Sequence, residues 1–156
     1  MPHISLAKAL KVKNRLTGRL NKTTETIQSF NSVLETQAND VDVTEQLKMR
    51  DRIKDALITL KTAIYHGNSE IQQSIYTLGE AKSEIAFYGC VSTHDGVQPH
   101  SYQNTPVKYV ATLKRADVAS KLAQLENTID QLQDKLDEYN HSTKIEVPQE
   151  VLDLSS

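Results

Sequence analysis

Val118, Leu122, Leu125, Ile129, Leu132, Leu136 and Tyr139 follow one another at strict four-three spacing. That spacing puts all seven side chains on one stripe of an α-helix, and three such heptads make a rod about 33 Å long. Asp117 is placed to cap its start and Asn140 to end it. A rod of this kind buries its stripe against another helix, in the same chain or in a second copy.

The preceding residues carry the pattern less regularly. Ser5 offers a hydroxyl to cap a first helix, along which Leu6, Leu10, Lys13, Thr17, Leu20, Thr24, Ile27, Asn31 and Leu34 take four-three spacing. Lys13, Thr17, Thr24 and Asn31 make that seam leaky, and polar seam residues fix register at a cost in stability. This helix is expected to end near Thr36. Asp42 followed by Glu45 reads as a capping-box variant opening a second helix, striped by Ile53, Leu57, Leu60, Ile64, Ile71, Leu78 and Ile85. Gly67-Asn68-Ser69 interrupts it, yet Ile64, Ile71 and Leu78 keep one seven-residue phase. The phase favours a single long helix with a weak point at Gly67.

Residues 85–91 are rich in β-formers, and Val107, Tyr109, Ala111 and Leu113 alternate with polar neighbours. A polar loop from Ser92 to Pro106 separates them. Together they predict a β-hairpin with a long tip, which must pack on helices or on another subunit. In the tail, Ile145 and Val147 precede Pro148, so a strand or a short docked helix is expected there. The predicted fold is mainly α and oligomeric. It has two long antiparallel helices over 1–84, a β-hairpin with a long loop over 85–114, a C-terminal heptad-patterned helix over 115–142 and a tail over 143–156, all in one structural unit.

Aromatic residues make up only 5% of the chain, with no Trp, which is thin for a compact core. An elongated helical protein needs less core per residue and gains the rest from a second copy, so a homo-oligomer is expected. A net charge of −2 gives no global case for DNA or RNA as a partner. The charge is unevenly placed, however. Residues 1–24 hold Lys8, Lys11, Lys13, Arg15, Arg19 and Lys22 and no acid, whereas residues 115–156 hold four bases and nine acids. Opposite-signed helices suit antiparallel or inter-subunit pairing; a solvated basic face accounts for the first segment equally well. No stretch approaches the ~20 apolar residues of a helical membrane span, and the N-terminus lacks a signal-peptide layout. The cytoplasm is the expected compartment, with no membrane partner.

Chemistry-bearing motifs are sparse. There is no phosphate-cradling glycine loop, zinc-protease helix or nucleophile elbow, so no enzyme, cofactor or catalytic residue is expected. Cys90, His94, Asp95 and His100 offer metal-type side chains at a spacing that fits no closed zinc pattern. A small buried cysteine beside exposed loop histidines explains them more simply. Phe87, Tyr88, Tyr102 and Tyr109 lie among Lys108, Lys114 and Arg115. Aromatic faces stack on bases and an Arg forks phosphate, so Phe87, Tyr88, Lys108, Lys114, Arg115 and Asp117, with Arg50 from the second helix, are candidate contacts for a small anionic ligand. Packing of the aromatics, solvation of the bases and a capping role for Asp117 form the competing account.

Two resemblances bear on function. Ile4-Ser-Leu-Ala-Lys-Ala-Leu-Lys-Val-Lys-Asn-Arg-Leu-Thr-Gly-Arg-Leu20 resembles the first helix of a family of small, largely uncharacterised bacterial and phage proteins, some labelled septicolysin-like. Arg115-Ala-Asp-Val-Ala, the heptads and Leu136-Asp-Glu-Tyr-Asn-His-Ser-Thr143 resemble that family's ending. These stretches cover under half the chain. Its label implies pore formation, for which no helical span is present. The layout of two long helices, a hairpin and a terminal helix is similar to phage Thoeris anti-defence proteins, which sequester nucleotide immune signals between subunits. That resemblance implies a base stacked on Phe87, with Arg115 on phosphate and Asp117 on ribose. The leading expectation is thus a non-enzymatic oligomer that sequesters a nucleotide-derived signal, in the host cytoplasm if phage-encoded. The alternative is a structural or adaptor helical protein acting through protein–protein contacts.

Overall fold

Two side chains set the starts of the first two helices. Ser5 Oγ accepts from the Lys8 N–H at 3.2 Å, and Asp42 Oδ1 accepts from the Glu45 N–H at 3.0 Å. Each such cap contributes about 1 kcal/mol. In the computed structural model, which describes residues 1–100 and 103–156 and side chains outside 99–104, they open α1 (Leu6–Phe30) and α2 (Val43–Gly67). Among the described residues the chain is mainly helical, with two small antiparallel strand pairs. It divides into two compact units, Met1–Glu70 with Asp137–Ser156, and Ile71–Leu136.

In the first unit α1 and α2 pack along their length. The face that α1 buries is Leu6, Ala9, Val12, Leu16 and Thr23; of the predicted series Leu6 is buried and Leu10 and Leu20 pack half-buried against the same core. Thr17, Asn31 and Leu34 are exposed. The predicted series passed over Ala9, Val12 and Leu16, which are buried. The helix also stops earlier than expected, at Phe30, where Asn31 caps it and Asn39 Nδ2 donates to the Phe30 carbonyl. On α2 the buried residues are Ile53, Ala56, Leu57, Leu60 and Ile64.

The tail completes this core, and it does so as both a strand and a helix. β1 (His3–Ser5) pairs antiparallel with β4 (Lys144–Glu146), Ile4 opposite Ile145. Pro148 precedes the short α5 (Gln149–Asp153). Val147 is fully buried, and Val151 and Leu154 nearly so. The Arg19 guanidinium donates to the carbonyls of Leu154 and Ser156 at 2.6 and 2.9 Å.

The expected long second helix is broken at Gly67. α3 (Gln72–Gly89) begins after a turn over 68–71. The core explains why a glycine stands there. A Cβ on Gly67 would stand 2.6 Å from Ile145 Cγ2 and 3.0 Å from Leu6 Cδ2, so these side chains fill the space a longer residue would need. The Gly67 carbonyl accepts from the Tyr139 hydroxyl at 2.7 Å. The phase nevertheless persists, since positions 53, 57, 60, 64, 67, 71, 74, 78, 81, 85 and 88 keep four-three spacing across the turn.

In the second unit Lys135 Nζ of α4 (Arg115–Ser142, whose last residues belong to the first unit) donates to the buried Ser74 Oγ of α3 at 3.0 Å. Ile71, Leu78, Ala81, Val118 and Leu136 are buried. The heptad residues between them, Leu122, Leu125, Ile129 and Leu132, are only half-buried. β2 (Gly96–His100) and β3 (Gln103–Tyr109) form an antiparallel hairpin with an irregularity between Gln98 and His100. β2 and the start of β3 fall within the predicted loop, whereas Val107 to Tyr109 belong to the predicted second strand. The segment 85–89, predicted as strand, is the last turn of α3. Its β propensity is overridden because Ile85 and Tyr88 continue the seam of Leu78 and Ala81.

Candidate functional site

Most candidate residues fall in the segment of chain that runs from the end of α3 through the hairpin to the start of α4. Phe87 and Tyr88 occupy the final turn of α3, with rings edge to face at 5.0 Å. The Cys90 N–H closes the helix by donating to the Phe87 carbonyl at 3.1 Å, and Cys90 itself is exposed, which corrects its expected burial. Gly96 then turns the chain into β2 with φ +80°, a left-handed conformation that L side chains adopt at a cost.

Asp95 fastens the base of the hairpin. Its carboxylate accepts from Lys114 Nζ at 2.7 Å and from the Ala111 N–H at 3.2 Å. The Lys114 ammonium first, and then the Ala111 N–H, hold the Asp95 carboxyl below its ordinary pKa. The Lys114 backbone N–H donates in turn to Asp117 Oδ2 at 2.9 Å. This is the return half of a capping box, satisfying a donor at the helix start. Lys114 therefore has its side chain on Asp95 and its N–H on Asp117, and the three residues lock the hairpin to α4. His94, weighed as a metal ligand, sets its ring edge to face with Tyr109 at 5.6 Å.

The remaining candidates are distributed differently. Arg115 is exposed in the first turn of α4, with no ion-pair partner among the described residues. Lys108 is exposed on β3, opposite Val97. Arg50 belongs to the other unit, where its Nε donates to Thr24 Oγ1 at 3.0 Å in a shallow groove lined by Ile27, Gln28 and Leu47. Arg52 there binds Glu150 Oε1 at 2.9 Å. Tyr102 lies outside the described residues, as does the His100 side chain. Among the described residues no three His, Cys, Asp or Glu side chains converge on a common metal position, and no helix is long and apolar enough to cross a membrane.

Sequence reasoning passed over the apolar side of this region. Phe87 is 59% exposed, Val97 66% and Val110 83%, with Tyr109 and Leu113 also open to solvent. The available signal was Val97, β-branched and apolar within the largely polar residues 92–106, and Val110, which breaks the alternation of Val107, Tyr109, Ala111 and Leu113. No protein-family model matches the sequence, and no curated protein or solved structure is detectably similar to it.

Proposed function

We propose that this is a non-enzymatic helical protein that self-associates and acts through protein–protein contacts made by its second unit. The observation that carries this reading is the apolar tip, where Phe87, Val97, Tyr109, Val110 and Leu113 remain exposed. Scattered single apolar residues are ordinary on a surface, but Phe87 at the end of α3, Val97 and Tyr109 on the hairpin and Val110 and Leu113 just after it are close enough in the chain to favour a contact surface. The half-buried heptad residues of α4 support the same reading, since a seam left partly open gains by burial against a further chain. The polar groups first expected to hold a ligand fit this reading too, because Lys114 and Asp117 are engaged within the fold. A photo-crosslinking residue at Val110 tests the proposal in cells producing the protein. Discrete protein adducts are expected there and not at Lys61, an exposed position on α2. Identical adduct patterns at both positions, or none at Val110, would contradict it.

A second reading is favoured by Arg115. A cation in the first turn of a helix faces the positive end of its dipole, and an anionic ligand would relieve that arrangement. On this reading the protein sequesters a small nucleotide-derived signal, as phage anti-defence proteins do, with Phe87 stacking on the base. Calorimetry against cyclic dinucleotides, cyclic trinucleotides and cyclic ADP-ribose isomers is its test. Binding lost in Arg115→Ala by about 2–5 kcal/mol would support it, and absence of heat across the panel would end it.

A further inference from the structure

The six bases of the first 24 residues face no acid in that segment, and helix formation sorts four of them into a stripe. Lys8, Lys11, Arg15 and Lys22 are separated by three, four and seven residues along α1. They share one helix face over about 21 Å. All four are exposed, and none forms an ion pair among the described residues. Arg19, beside them, is committed to the carbonyls of Leu154 and Ser156. On α4, Glu126, Asp130 and Asp134 stand at four-residue steps over about 12 Å, Glu126 flanking the heptad seam and Asp130 and Asp134 turned away from it. They too are exposed and have no ion pair among the described residues. Like charges three or four residues apart destabilise the helix that carries them. Each stripe is thus unfavourable alone and complementary to the other.

We infer that the basic stripe of α1 docks on the acidic stripe of α4 in a second copy of the chain. The inference rests on the self-association proposed above and assigns it a surface and a partner. Both stripes run at helical spacing, and the four-residue step from Lys11 to Arg15 equals the steps of the acidic stripe. Every copy carries both, which makes a second copy a partner of complementary charge. Exposed ion pairs add little affinity individually. The stripes therefore set orientation, register and association rate, while apolar contacts hold the copies together.

A charge swap tests this on the full chain. One variant carries Lys11→Glu and Arg15→Glu, the other Asp130→Lys and Asp134→Lys, with circular dichroism to verify the helices. In sedimentation velocity each variant alone should associate about ten-fold more weakly than the unmodified protein, or worse. An equimolar mixture should recover the original association, because each reversed stripe then meets its complement. Association of the unmodified protein should also weaken toward 1 M salt, where the screening length falls to about 3 Å. Variants that assemble like the unmodified protein, a mixture that shows no recovery, or indifference to salt would overturn the stripe pairing and leave self-association standing. Binding of a labelled DNA duplex that Lys11→Glu with Arg15→Glu abolishes, with association unchanged, would overturn it as well. An unmodified protein that stays monomeric would overturn both this pairing and the reading it rests on.

Discussion

The two units use the same four-three helical spacing to opposite ends. In the first, α1 and α2 close over Leu6, Leu16, Ile53 and Leu60, each at most 1% exposed, and the tail seals the end with Val147 and Val151. In the second, α4 carries a regular seam whose middle positions stay half-buried, and the apolar residues on and beside the hairpin are exposed. The more regular pattern therefore belongs to the less enclosed unit. Periodicity states which face of a helix is apolar; how completely that face is covered depends on what else reaches it. In the first unit β4 and α5 supply the cover.

The contrast predicts unequal costs of truncation, and this is the largest effect expected. Leu60→Ala removes a fully buried side chain and should cost about 2–5 kcal/mol in urea denaturation. Ile129→Ala, at the middle of the half-buried seam, should cost less than half as much in monomeric protein. Equal losses would erase the distinction between the units.

An intermediate effect is expected at the helix break. Gly67→Ala forces a methyl against Ile145 and Leu6, and overpacking of this kind costs about 1–3 kcal/mol. Tyr139→Phe leaves the ring in place and removes only the hydrogen bond to the Gly67 carbonyl, for about 1 kcal/mol. If Gly67→Ala instead raises stability, the break is an accident of helix propensity and not a product of core packing.

These two positions show what the sequence could and could not reveal. The caps at Ser5 and Asp42, the stripe of α2 and the whole extent of α4 were legible because each is a local pattern. The close approach of Ile145 to Gly67 was not, since Ile145 lies far away in the chain. The β-rich Phe87-Tyr88 pair misled for the same reason, its helical state being set by the seam it extends. In the candidate site, Asp117 was legible as a cap. The clasp of Asp95 on Lys114 joins residues 19 apart across a hairpin whose register no spacing specified.

The smallest effect concerns that clasp. The Asp95 carboxyl has a lowered pKa in the folded chain. Its contribution is fully present above the ordinary aspartate value of about 3.9 and is lost as pH falls through the lowered folded value. The change should be confined to the hairpin base. An NMR titration is expected to move the Ala111 amide resonance in that acid range, and Asp95→Asn should abolish the movement. A titration at the ordinary aspartate value would mean that the ion pair with Lys114 does not persist in solution.

The central claim is that the second unit leaves apolar surface open for another chain. Sedimentation equilibrium of the unmodified protein across the micromolar range tests it most directly. The account predicts a mean mass above that of one chain, rising with concentration, and a mass that stays at one chain throughout would contradict it.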